Sequence, residues 1–185
     1  MKVTKNWLVK HDACSDGMMF VTEHKLIGSD ECHFIRQLVK LDEHEWALWL
    51  LVRRLKIKDR IRFVVYCAKG VLPIYETKRP NDDRPRKAIE AAEACIADNT
   101  KKNRVAAMAA ARAAKASGAA VYAAWAAVYA ARAAAYAPAW EAMAAEAAEC
   151  AADSARTAQS VRAKGNEQSA MLRYIEYGVE LLEGK

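Results

Sequence analysis

The 185-residue chain holds only three phenylalanines, four prolines and seven scattered glycines. Nowhere do the glycines gather into a phosphate-cradling loop, which removes the common nucleotide-binding signatures. Five cysteines, at 14, 32, 67, 95 and 150, are odd in number and far apart. That is no disulfide framework, and reduced, buried thiols are expected instead. The opening MKVTKNWLVK has no apolar signal core, and no run is apolar for long enough to cross a membrane. The chain therefore reads as cytoplasmic. Acid is missing from one long stretch: between Asn99 and Trp140 every charged residue is basic, namely Lys101, Lys102, Arg104, Arg112, Lys115 and Arg132.

What is present is alanine. From Val105 to Ala158, 30 of 54 residues are Ala, the residue that loses no rotamer freedom in a helix. As one rod this segment would run roughly 80 Å at 1.5 Å per residue, too long for a domain of this size. Gly118 and Pro138 predict breaks, giving helices over 102–117, 119–137 and 139–164. Met108, Lys115, Tyr122, Tyr129, Tyr136, Met143 and Cys150 recur every seven residues. This seam predicts a buried ladder of rings, with alanine elsewhere letting backbones approach and leaving no hollow for a reaction.

The rest also keeps helical spacing. Trp7, Leu8, His11, Cys14, Met18, Met19 and Thr22 form one stripe, predicting a single first helix. Ser29 is expected to cap the next helix, and Asp42 with Glu45 the one after. Ile61, Val64, Val65, Ala68, Leu72 and Tyr75 share a face that passes Pro73, where a kink or short break is expected. Asp82 and Asp83 are cap candidates, with Pro85 in the first turn of the helix that follows. A closing amphipathic helix carries Met171, Leu172, Ile175, Val179 and Leu182 on one side and Arg173, Glu176, Glu180 and Glu183 on the other. No segment reads as a strand. The expected fold is all-α, a multi-helix bundle in which short N-terminal helices (residues 1–99) pack with longer alanine-rich helices (100–185) as one domain.

Three constellations bear on chemistry. His11 and Cys14, with Cys32 and His33, have the donors for zinc but no finger or ribbon spacing, so the set is read as structural, with no metal and no cofactor assigned. The acids fall in caps or on exposed faces, as do Glu141, Glu146 and Glu149, and the reading is a non-enzyme. The basic residues are the binding candidates. If residues 53–62 are one helix, Arg53, Lys56 and Arg60 form one row with Arg54 and Lys58 beside it, and Arg62 belongs to the same basic cluster. Lys101, Lys102, Arg104, Arg112 and Arg132 follow on the alanine helices. With a net charge of +6, acidic proteins or nucleic acid are natural partners.

Residues 66–95, YCAKGVLPIYETKRPNDDRPRKAIEAAEAC, carry a dense local pattern. Cys67, Ala68, Val71, Leu72, Pro73, Tyr75 and Glu76 lead to Pro80, Asp82, Arg84, Pro85 and Arg86. Ala88, Ile89, Glu90 and Ala91 complete it. This resembles the signature of the Imm-5-like immunity proteins of bacteria and phages. The resemblance implies a small helical protein that neutralises another protein, a toxin or a host defence effector, without supplying catalytic residues. Pro73, Glu76, Asp82, Arg84, Pro85 and Arg86 also have structural roles open to them as a kink, caps and ion pairs. The expectation is stoichiometric binding to an acidic protein surface, with no membrane association and with self-association through the alanine helices as a further mode. The alternative is a nucleic-acid-binding accessory protein that uses the 99–140 basic span.

Overall fold

A computed structural model describes residues 1–116, 122–136, 141–163 and 167–184. They form ten helices: α1 (Lys5–Lys10), α2 (Ser15–Glu23), α3 (Glu31–Lys40), α4 (His44–Arg54), α5 (Ile57–Lys78), α6 (Arg84–Ala97), α7 (Lys101–Lys115), α8 (Tyr122–Tyr136), α9 (Glu141–Ala163) and α10 (Glu167–Glu183). There is no strand among the described residues, only an isolated bridge between Lys2 and Asp30. The architecture is the all-α bundle that the spacing predicts. No helix among the described residues is long and apolar enough to cross a membrane.

Helix α8 sits at the centre of the bundle and touches α5, α6, α7 and α9. Its composition explains how four neighbours fit. Ala126, Ala127, Val128, Ala130, Ala131, Ala133 and Ala134 are each no more than 1% exposed. At 100° per residue these positions sweep an arc of roughly 220°. A helix buried over so wide an arc leaves room only for methyl groups if every neighbour is to approach closely. On α9 the same holds for Ala145, Ala148, Ala151, Ala152 and Ala155. The ring ladder is therefore inverted: alanines make the core, while Tyr129 and Tyr136 are half-buried at its edge. There the Arg132 guanidinium lies 5.5 and 5.6 Å from the two ring centres and donates to Tyr136 Oη at 3.2 Å. The predicted breaks at Gly118 and Pro138 lie outside the described residues.

Helix α5 supplies the bulky half of the core. Ile61, Val64, Val65, Ala68, Leu72 and Tyr75 are all buried, as their spacing requires. The break expected at Pro73 does not occur, and α5 runs on to Lys78. Pro73 and Lys69 both lie on the exposed side. Water can satisfy the Lys69 carbonyl that loses its partner, so the helix has no reason to end.

The local signals nearer the N-terminus need three corrections. The first stripe is two helices, because Asp12 takes a left-handed backbone (φ 57°) between α1 and α2. Cys14 is thereby moved from an inner face to the N-cap of α2, where its Sγ accepts the Gly17 amide at 3.3 Å. Asp30, and not Ser29, caps α3 by accepting the Cys32 and His33 amides; the Ser29 hydroxyl donates back to Leu26. The Asp42–Glu45 box does not form. Asp42 is left-handed (φ 65°), and Glu43 occupies the N-cap of α4 without a side-chain bond.

The last helix lies across α3, α4, α5 and α9. Met171, Ile175 and Val179 face inward, and Arg173, Glu176 and Glu180 face outward. Its approach to α4 depends on Gly178. A β-carbon there would overlap Leu51 Cδ2 and stand 3.0 Å from Leu51 Cδ1 and Cγ. Leu51 is 0% exposed and has nowhere to swing. Gly178→Ala is thus expected to lower stability by about 1–3 kcal/mol despite the better helix propensity of alanine. Urea denaturation checks this; a neutral or stabilising result would mean that α10 does not seat on Leu51.

Candidate functional site

The expected basic row does not exist as a row. Residues 53–62 span the end of α4 and the start of α5, with a helix break at Leu55–Lys56. Arg53 turns inward, stacks over Trp49 at 4.5 Å and pairs with Glu149 of α9. Arg54 lies over Trp7 at 4.9 Å and donates through Nε to Glu31 at 2.6 Å. Arg60 is 1% exposed. Its guanidinium donates to the Val52 and Leu55 carbonyls at 2.6 and 3.0 Å. It thus satisfies acceptors at the C-terminal end of α4, where a cation is favoured by the helix dipole. Lys56, Lys58 and Arg62 remain outside, and Arg62 donates to Asp59 at 2.9 Å. On the alanine helices, Lys101, Lys102 and Arg112 are exposed on α7, whereas Arg104 is half-buried and donates to the Asn99 carbonyl at 2.6 Å.

The four potential zinc donors are dispersed. His11 donates from Nδ1 to the Trp7 carbonyl at 2.8 Å and stacks on the Trp7 ring at 4.0 Å between centroids. Cys32 is buried, and His33 points to solvent beyond the α3 cap. No group of three or more His, Cys, Asp or Glu among the described residues is placed to hold a metal ion.

The motif residues assemble a clamp at the α5–α6 turn. The Asp82 carboxylate accepts from the buried Tyr75 hydroxyl at 2.6 Å and from Arg84 Nε and Nη2 at 2.7 Å each. It also accepts the Arg84 amide at 3.2 Å, while Asp83 holds the N-cap position without a side-chain bond. Pro85 lies in the first turn of α6, and Arg86 Nε donates to Glu76 at 2.8 Å. Among these residues Pro73, Asp83 and Arg86 are exposed, Glu76, Asp82 and Arg84 are half-buried, and Pro85 is buried. The arrangement fastens α6 to the end of α5.

The concave feature lies elsewhere. A cleft of about 530 Å³ opens between the α1–α2 hairpin, α3, α4 and α9, within the range of ligand sites. Trp46 and Trp49, three residues apart on α4, line it and stay half-exposed. Phe20 packs edge-on to Trp46 at 5.1 Å, and Trp7 edge-on to Trp49 at 6.1 Å. Leu8, Met18 and Met171 extend the apolar lining, and Gly17 keeps the α2 wall low beside Trp46. Asp12, Glu45, Glu149 and Asp153 edge the opening, with Arg156 as its cation. A second hollow of about 490 Å³, bounded by Asp42, Glu43 and His44, shares Glu45, Trp46, Arg156 and Met171 with the first. The two make one groove. The expectation that the fold leaves no hollow is corrected here: alanine packing closes the α8 region, but the shorter helices do not close over Trp46 and Trp49.

The electrostatics run against the net charge. In a chain of +6, the described residues that line this groove include six carboxylates. Glu149 is held by Arg53, and Asp153 by Arg156 at 2.6 Å. Burial raises the Glu149 carboxyl above its ordinary value, opposed by Arg53. Burial also raises the Cys150 thiol, with Glu146 and Glu149 adding to the effect. A raised pKa makes this thiol a poor nucleophile. Cys14, at the opposite wall, is exposed. The sequence alone places Asp42 and Glu45 in a cap and Glu149 on an exposed face, and assigns no role to Trp46 or Trp49. The signal that could have found the site was DEHEWALW, a run of acids leading into two tryptophans at helical spacing.

The clamp generates a pH prediction. Arg84 first, and Tyr75 with it, hold the Asp82 carboxyl well below its ordinary value of 3.8. A depressed folded value means the clamp contributes fully above the ordinary value and is lost as pH falls through the folded one. Asp82→Asn should cost about 1–3 kcal/mol at neutral pH. The gap between variant and parent should then close as the medium is acidified below that value, measured by urea denaturation across pH. A gap independent of pH would contradict the assignment.

No curated protein and no solved structure matches the chain. The model of DUF6931, a family of unknown function, matches residues 34–182. The matched span includes the tryptophans of α4, the whole clamp, the alanine helices and almost all of α10; the α1–α2 hairpin that walls the cleft precedes it. With most of its length matched, the protein belongs to the DUF6931 family.

Proposed function

We propose that this protein is a non-enzymatic, immunity-like or phage counter-defence inhibitor that binds its protein target stoichiometrically through the tryptophan-lined groove. The observation that carries the reading is the pair of half-exposed tryptophans, Trp46 and Trp49, in a groove edged by carboxylates. Concave aromatic surfaces of this kind make binding hot spots. The resemblance of residues 66–95 to the Imm-5-like signature supports the inhibitory role. Binding, and not turnover, suits the internal pairing of the groove's charges: Arg53 with Glu149 and Arg156 with Asp153 are committed to each other. Five unpaired thiols suit a reducing cytoplasm.

A second reading, nucleic-acid binding, draws on the outer face of α7, where Lys101, Lys102 and Arg112 are exposed. Tyr129 and Tyr136, which would stack on bases, are half-buried on α8 instead.

The test is affinity purification of the full chain from toxin-challenged or phage-infected cells. One protein partner at one-to-one stoichiometry is expected, lost by at least 10-fold in affinity with Trp46→Ala. Its binding should also protect Cys14, on the groove wall, from maleimide. Recovery of nucleic acid alone, with retention falling steeply as salt is raised, would overturn the reading. So would a protein partner indifferent to Trp46 that leaves Cys14 reactive.

A further inference from the structure

The groove's chemistry says what kind of partner segment it takes. Resting on the reading that the groove is the docking site, we infer that its occupant is a cationic amphipathic helix of the partner, with apolar residues on one face and Lys or Arg beside them.

Shape comes first. Two hollows of about 530 and 490 Å³ share four residues and open to the surface, so the site is a trough and not a closed pocket. A trough with an apolar floor is how proteins take up an amphipathic helix. The floor is Trp46 and Trp49 with Met18 and Met171. Methionine adapts its shape to inserted apolar side chains, as such grooves require.

Charge fixes the sign. Asp12 edges one end of the trough, Asp42 and Glu43 the other, and Glu45 stands where the two hollows join. Among the described lining residues the one arginine, Arg156, is tied to Asp153, and His44 lies 3.3 Å from Asp42. A ligand cation near the junction would meet the Glu45 carboxylate and the Trp46 ring together, adding a cation–π contact to the ion pair. Because these carboxylates are spread over both hollows, a small cation could answer only a few of them. A row of cations on a helix could answer most.

The net charge of +6 sharpens the argument. At long range it repels a cationic ligand and attracts an acidic one. Preference for the cationic helix must therefore come from the groove itself, within about a Debye length of 8–10 Å. A second copy of this chain fits less well. Its exposed basic face, on α7, carries Val105, Ala106, Ala109 and Ala113 beside Lys101, Lys102 and Arg112, and one valine among methyl groups cannot fill a hollow of about 530 Å³.

The experiment titrates the full-length protein with three probes: an 18-residue Leu/Lys amphipathic helix, the same pattern in Leu/Glu, and spermine. Tryptophan fluorescence and calorimetry read the binding, and circular dichroism checks the fold of each variant. One-to-one binding of the Leu/Lys peptide is expected, at least 10-fold tighter than the Leu/Glu peptide or spermine. Glu45→Lys should weaken it about 5- to 20-fold and Trp46→Ala at least 10-fold. Glu90→Lys, on the outer face of α6, should leave it unchanged. Equal or better binding of the Leu/Glu peptide, indifference to Glu45→Lys, or spermine matching the peptide would each overturn the inference. So would self-association in sedimentation that Glu45→Lys abolishes. Should a target depend on Trp46 while the Leu/Lys peptide fails to bind, this inference falls and the groove reading stands. Should the peptide bind while no cellular protein does, the inference stands and the inhibitor reading falls.

Discussion

Methyl-to-methyl packing around α8 is the constraint on which the rest of the structure depends. Four helices can gather on one only if its side chains take almost no room, and α8 presents alanine over most of its circumference. Each contact is small, but backbones at close range recover dispersion that larger side chains would otherwise supply. The helices so placed include α5, with its bulky Ile, Val and Tyr face, and α9, whose outer edge reaches back to α4 through Glu149 and Arg53. The alanine segment therefore sets where the groove's far wall stands.

The groove follows from what happens where alanine gives out. Helices α1 to α4 are short and joined by tight turns, two of them through left-handed aspartates at 12 and 42. Both aspartates edge the groove. Strain at a turn and acid at the rim are here the same residues, since aspartate tolerates the left-handed backbone better than most. Arg53 lies over Trp49 and Arg54 over Trp7 in cation–π contacts, and both arginines pair across helices, with Glu149 and Glu31. Cations that give the chain its basic balance are thereby spent internally, while carboxylates remain around the opening.

How much of this was legible in the sequence follows from the range of each signal. Periodicity reports which way a residue faces on its own helix, so the inward face of α5 came out residue by residue. On α10 Met171, Ile175 and Val179 are buried as expected, while Leu172 and Leu182 are only half-buried. The presence of α8 and α9 followed from alanine's propensity alone. Which alanines are buried did not, because a seam of rings and a seam of methyls are equally periodic, and only the number of neighbouring helices decides between them. Pro73 misled because its cost depends on whether the orphaned carbonyl faces water. Asp12 broke the first stripe without a glycine or proline to announce it. The basic row failed for a similar reason. Arg53, Arg54 and Arg60 look solvated in sequence but find Glu149 on α9, Glu31 on α3 and the carbonyls at the end of α4. DEHEWALW names residues of the groove, but the hollow itself was not legible, since no local pattern states that helices fail to close.

The most direct test of this account places the same substitution on two alanine faces and compares unfolding free energies. Ala131→Leu, on the buried arc of α8, should destabilise by about 1–3 kcal/mol through overpacking. Ala113→Leu, on the exposed face of α7, should stay within about 0.5 kcal/mol of the parent. Equal effects at the two positions would mean that the methyl groups of α8 are not the core, and the placement of every helix around it would have to be reconsidered.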